Sequence, residues 1–139
     1  MAQGTPITIT GNLAADPQTQ TTRNGKTYAN FTVVHSTRVR GADGQWADGT
    51  PTFFKCKAWG RDAQHLAASA RKGTRVILTG TIAEESYDNQ QGEHKRYMLV
   101  NVDEIGVSLR YATAIPQKDE SRQWAARDAQ PDPYGEGRY

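Results

Sequence analysis

Few side chains in this sequence have the type and spacing that covalent chemistry requires. Cys56, the single cysteine, stands between Lys55 and Lys57, whose charge could favour a reactive thiolate. On a strand, however, neighbouring side chains point to opposite faces, so the thiol and the ammonium groups face apart. His35, His65 and His94 fall in a strand-like, a helix-like and a turn-like stretch, and with one cysteine they give no zinc-binding spacing. His35 reads more simply as a strand residue satisfied by a neighbour, and His65 as a helix surface residue. The acidic pairs Glu84-Glu85 and Asp103-Glu104 are adjacent, and strand alternation separates the two carboxylates of each pair, so neither is an acid–base couple by itself. The glycines stand singly in turn-like contexts, with no phosphate-cradling loop. The expectation is a protein that is not an enzyme, with no metal and no cofactor.

Binding chemistry is better represented. The stretch PTFFKCKAWG, residues 51–60, sorts by the two-residue period of a strand into two faces. Phe53, Lys55, Lys57 and Trp59 share one face, while Phe54, Cys56 and Ala58 share the other. Either face could be the inner one, since lysines can snorkel past buried rings. The lysine pair tilts the balance, because an unpaired ammonium is costly to bury. Phe53 and Trp59 are therefore predicted to face outward. Flat rings stack on unpaired bases and cations meet phosphates, so this face suits single-stranded nucleic acid gripped without reading its sequence. Strand rise gives it a length of about 20 Å.

Other residues suit the same task. Arg38 and Arg40 precede a loop that carries Trp46. Tyr87 opens a polar tip that Lys95 and Arg96 close, and Arg61, Arg71, Lys72 and Arg75 gather around the ends of a helical stretch. Each charge also fits an ordinary solvated surface, and Trp46 also fits an anchor for its own loop.

These residues must be positioned by a mostly β scaffold. Residues 5–13, TPITITGNL, alternate apolar and polar side chains and predict a strand ending near Gly11. Asp16-Pro17 and Asn24-Gly25 are turn signals, the second typical of a tight hairpin. Residues 27–37 predict a second strand, and the glycine- and aspartate-rich stretch 38–50 a loop or an extended hairpin. The stretch after Gly60, RDAQHLAASARKG, loses its β-branched residues. It carries an apolar stripe of Ala63, Leu66, Ala67 and Ala70, with Asp62 near its start and Gly73 to stop it, and so predicts one helix of about ten residues. Strands resume in TRVILTGTIAEES and RYMLVNVDEIGV around the tip YDNQQGEHK. Three strands, a helix and two strands form the layout of an OB-fold barrel, all-β and five-stranded, with one short helix between strands 3 and 4. Beyond Tyr111 the apolar density collapses, so residues 1–112 are predicted to form the domain and 113–139 a disordered tail.

Composition is consistent with this. Residues 1–112 hold 13 Lys and Arg against 10 Asp and Glu, a weakly basic balance compatible with nucleic acid. One cysteine leaves no intramolecular disulfide framework, and no early apolar run resembles a signal peptide or a membrane span, so the expected location is cytoplasmic.

The segments ITITGNLAADP, YANFTVVHSTR, FFKCKAWGRDAQHLAASARKGTRVILTGT and VNVDEIGVSLRYATA resemble bacterial single-stranded DNA-binding protein, the last most of all its actinobacterial branch. The resemblance covers about residues 5–115 and includes the spacing between segments. It implies an OB-fold that assembles as a homotetramer, with single-stranded DNA wrapped over aromatic and basic surfaces and a nucleoid-associated location. By resemblance, Phe53, Trp59 and Tyr87 fall at stacking positions, and Lys55, Arg61, Arg71, Lys72 and Arg96 fall at or close to basic ones. Val39 stands where many members carry another stacking tryptophan, for which Trp46 is a partial substitute. The sequence departs from the family in three places, the shortness of its tail among them. Glu84 and Glu85 stand where better-known members are basic, and the chain ends PDPYGEGRY instead of in an acidic, Phe-terminated tip. That ending implies weak or absent recruitment of replication and repair proteins, as in a secondary paralogue or a phage- or plasmid-borne form.

Overall fold

The computed structural model describes residues 4–119, and in it sustained period-two patterning becomes strand. The first strand, β1, spans Thr5–Leu13 and turns Ile9 and Leu13 into the core. It runs two residues past Gly11. Asn24-Gly25 forms the tight turn its sequence demands, with Gly25 at φ 83° and its N–H donating to the Thr22 carbonyl at 3.0 Å. The turn joins β2, Gln18–Thr21, to β3, Thr27–His35. β2 is fully exposed and polar, so no apolar alternation marks it in the sequence. The stretch read as a loop or hairpin is a hairpin: β4, Arg38–Arg40, pairs with β5, Trp46–Asp48, as a separate two-stranded ribbon.

The remaining elements are β6, Thr52–Trp59; α1, Gly60–Ser69; β7, Arg75–Asp88; and β8, His94–Val107. Their pairings run in a ring: β1 with β7, β7 with β8, β8 with β6, β6 with β3, and β3 with β1. This is the five-stranded OB-fold barrel, with the helix between its third and fourth long strands. Every contact in the ring is antiparallel except β6–β8, which is parallel and limited to Cys56↔Val100 and Lys57↔Asn101. Gly11 lies where β1 leaves β7 to meet β3. A Cβ at that point would run into the Val34 carbonyl, so the two backbones can approach only because the side chain is missing.

The β7–β8 ladder runs from Val76↔Val107 to Asp88↔His94, with a register shift at Thr79/Gly80. Asp103 is the extra residue of that bulge, and residues N-terminal to it on β8 change face. The core combines Leu13, Val33, Cys56, Val76, Leu78 and Val100 from the strands with Ala63 and Leu66 from α1. Of the predicted helical stripe, Ala63, Leu66 and Ala70 are buried and Ala67 is half-buried. The helix ends at Ser69, before Gly73. The Arg71 guanidinium turns back and donates to the Ala67 and Ala70 carbonyls at 2.9 Å each, satisfying the helix's last acceptors.

Residues 113–119 of the expected tail have no regular secondary structure, and Asp119 is held against α1. The rest of the tail, with its PDPYGEGRY ending, lies outside the described residues. Among the described residues, no helix is long and apolar enough to cross a membrane, and no cluster of His, Cys, Asp or Glu could hold a metal ion.

Candidate nucleic-acid interface

The β3–β6 ladder sets the site. Tyr28 stands opposite Trp59, Asn30 opposite Lys57, Thr32 opposite Lys55 and Val34 opposite Phe53. Directly paired residues share a face, so these eight side chains form one wall. It is the outer wall: Phe53 is 61% exposed and Trp59 41%, while Cys56 and Ala58 are buried and Phe54 packs against the core.

On this wall the cations lie over rings. Lys57 Nζ is 4.6 Å from the Tyr28 ring centre and 4.7 Å from that of Trp59. Lys55 Nζ is 5.3 Å from the ring of Tyr97, which meets Tyr87 edge-on with centroids 6.0 Å apart. Ring quadrupoles hold the ammonium groups weakly and leave their charge uncancelled. Neither lysine forms an ion pair among the described residues. Where β6 and β8 diverge, a groove of about 480 Å³ opens between Asn30, Thr32, Lys55 and Lys57 on one side and Tyr87, Tyr97 and Leu99 on the other. Its chemistry is that of base stacking with phosphate contact.

At the Trp59 end a second hollow, of about 650 Å³, is lined by Lys26, Thr27, Trp59, Arg61, Gln64 and Asp119. Arg61 Nη1 lies 2.8 Å from the Asp119 carboxylate, which also meets His65 Nε2 at 3.2 Å. At the other end, β4 and β5 extend the chain from where Phe53 sits. On them Trp46 is 58% exposed opposite Arg40, and Arg38 Nη2 reaches the Trp46 carbonyl at 3.4 Å.

Some residues named from sequence lie apart from this wall. Arg96 pairs with Ser86 on the face of the β7–β8 hairpin opposite to Tyr87 and Tyr97, and its Nε is 3.5 Å from Glu84. Arg71 caps α1, while the backbone N–H of Lys72 donates to Asp16 at 2.7 Å. Glu85, by contrast, stands opposite Tyr97 on the groove's own face.

Two rings of the site, Tyr28 on the wall and Tyr97 in the groove, are not among the residues singled out from sequence. Tyr28 could have been found by counting back from inward Phe31 and Val33, which puts Tyr28, Asn30 and Thr32 outside. Tyr97 could not. Strict alternation from Ile105, which packs on the core, would turn it inward, and the bulge at Asp103 reverses that. Cys56 Sγ is buried and donates to the Phe54 carbonyl at 3.5 Å, and burial pushes the thiol up to about 12, so it is no nucleophile near neutral pH. His35 Nδ1 lies 2.7 Å from the Thr10 carbonyl, satisfied within the barrel.

Residues 5–108 match the model of the single-strand binding protein family. The chain belongs to that family. It is 44% identical over 119 residues to the single-stranded DNA-binding protein of Mycolicibacterium smegmatis, an alignment covering 85% of this chain and 72% of that protein. To the single-stranded DNA-binding protein of Bifidobacterium longum it is 44% identical over 124 residues, 88% of this chain and 57% of the other. Among solved structures, the small single-stranded DNA-binding protein from Streptomyces coelicolor matches with a TM-score of 0.64 over 76% of this chain and 95% of that one. At 24% identity that is a likeness of fold. Membership in the single-strand binding family sets the chain among non-enzymatic binding proteins.

Proposed function

We propose that this protein binds single-stranded DNA without sequence preference and covers and protects it during replication, recombination or repair. Bases stack on Tyr28, Phe53, Trp59, Tyr87 and Tyr97, while Lys55 and Lys57 meet phosphates, with Arg38, Arg40, Arg61 and Trp46 extending the path at either end. The observation that carries this reading is Lys57 Nζ over two rings of the outer wall, 4.6 Å from half-buried Tyr28 and 4.7 Å from exposed Trp59. A base and its phosphate need such a ring and such a charge side by side. The matching family and the names of the relatives support the same ligand. The working form is a homotetramer in the cytoplasm, associated with the nucleoid. Four copies multiply the number of stacking walls, so avidity adds to each contact.

Titration of oligo-dT against tryptophan fluorescence, with mass measured in solution, tests the proposal. Trp59→Ala and Phe53→Ala each weaken binding, and DNA outcompetes RNA of equal length. Normal binding by both variants, or a preference for RNA, removes the proposal; the latter makes the chain an RNA-binding or primosome-type module. A monomeric mass removes the tetramer alone.

A further inference from the structure

Glu84 and Glu85 are neighbours in the chain and part on folding. Glu84 pairs with Met98 on one face of the β7–β8 hairpin, where its carboxylate lies 3.5 Å from Arg96 Nε. Glu85 pairs with Tyr97 on the other face, between the rung of Ala83 with Leu99 and the rung of Tyr87 with Lys95. Leu99, Tyr97 and Tyr87 line the groove, so Glu85 shares their side of the hairpin. Glu85 is exposed, and its carboxylate has no ion-pair or hydrogen-bond partner among the described residues. The cation of the next rung, Lys95, lies 3.5 Å from Glu93 instead.

Charge along the groove is therefore ordered across the sheet. In the strand order β7, β8, β6, the ring of Tyr97 stands in the middle. Lys55 Nζ reaches it from the β6 side, 5.3 Å from the ring centre. Glu85 flanks it from the β7 side, at the spacing of directly paired residues, about 5 Å between Cβ atoms. A nucleotide is polar in the same sense, with an anionic phosphate at one end and the hydrogen-bonding edge of a neutral base at the other. Attraction to Lys55 and repulsion from Glu85 both turn the phosphate toward β6. A base stacked on Tyr97 then directs its edge at the carboxylate.

A carboxylate only accepts hydrogen bonds. Cytosine N4, adenine N6 and guanine N2 carry amino groups that donate to it, as cytosine N4 does to Glu and Asp in duplex recognition. Thymine and uracil present two carbonyl oxygens around a single N–H, so their lone pairs face those of the carboxylate. We infer that Glu85 is a selectivity residue for the strand held in the groove, favouring amino-bearing bases over thymine and uracil at the Tyr97 position. This rests on the proposed binding of single-stranded DNA and refines it. One such position per chain biases the base composition of the preferred strand without reading a sequence.

The test titrates oligo-dC, oligo-dU and oligo-dT of about 16 nucleotides against the tryptophan fluorescence of the full chain, of Glu85→Gln and of Glu85→Ala. Cytosine and uracil differ at position 4 and in the N3 proton that goes with it, and uracil lacks the thymine methyl, so hydrogen bonding is separated from apolar contact. Both variants tighten oligo-dU binding and lower the ratio of oligo-dC to oligo-dU affinity about threefold or more, the scale of one hydrogen bond. Oligo-dT follows oligo-dU. An unchanged ratio in both variants overturns the inference. So does an equal gain for all three oligomers, which would make Glu85 a general repellent of phosphate. Either result leaves stacking in the groove standing. If the unmodified protein binds none of the oligomers, the proposed function falls, and this inference with it.

Discussion

Tyr28 and Trp59 stand opposite each other across the β3–β6 ladder, with ring centroids 5.4 Å apart and planes inclined at 44°. They form an angled pair, and Lys57 closes the angle from above both rings. A base inserted at this pair would touch one ring by stacking and meet the other at its edge.

Removing either ring should therefore cost affinity. Tyr28→Ala and Trp59→Ala each weaken oligo-dT binding by about 1–3 kcal/mol, the range already known for OB-fold proteins of this class rather than one derived from this geometry. The double variant loses less than the two losses added together, because both rings hold the same base and the same ammonium. Full additivity in a double-mutant cycle would mean that the rings act on different bases.

The lysines should appear in the salt dependence. Lys57→Gln and Lys55→Gln each reduce the slope of log affinity against log salt by about 0.7, since each neutralises one phosphate. Affinity measured over several salt concentrations checks this, and an unchanged slope would assign the lysines to the rings alone.

Asp119 would compete with the proposed ligand for Arg61. Its carboxylate lies 2.8 Å from Arg61, so a phosphate must displace it. The pair is partly exposed and worth about 1 kcal/mol at most. Asp119→Asn accordingly tightens binding by no more than about fivefold, most clearly at low salt. Weaker binding would show that Asp119 positions Arg61 rather than competing for it.

Cys56 ties stability to alkaline pH. Burial pushes its thiol from the ordinary 9.0 to about 12. Between those values the unfolded chain gives up the thiol proton and the folded chain keeps it, so stability falls as pH rises through that window. Cys56→Ala lacks this loss. The stability difference between the parent protein and the variant should shift toward the variant by about 2 kcal/mol between pH of about 8 and about 10.5. Urea unfolding at the two pH values measures it, and a constant difference would place the thiol in water.

Gly11→Ala drives a methyl group into the Val34 carbonyl at the closure of the barrel. The expected cost is about 1–3 kcal/mol, read from the urea midpoint. No loss would mean that the β1–β3 contact yields easily.

Much of this fold was legible because local signals agreed. Lys55 and Lys57 chose the outer face of β6, Asn24-Gly25 set a turn, and the alanine stripe marked α1. What escaped the sequence depends on register. The pairing of Tyr28 with Trp59 joins residues 31 apart in the chain, and no local pattern encodes which rung of β3 meets which rung of β6. Tyr97 was hidden by one extra residue at Asp103, and β2 by having no apolar side chain at all. Arg71 and Arg96 were legible as charges, but their partners, the helix carbonyls and Glu84, appear only once the chain is folded.

The β6–β8 seam joins at only two rungs, and the groove opens beside it. A strand of DNA lying from Lys55 on β6 to Tyr97 on β8 would lash together the two staves that the protein itself leaves barely joined. Occupancy would then harden the barrel against melting in proportion to how tightly the guest is held.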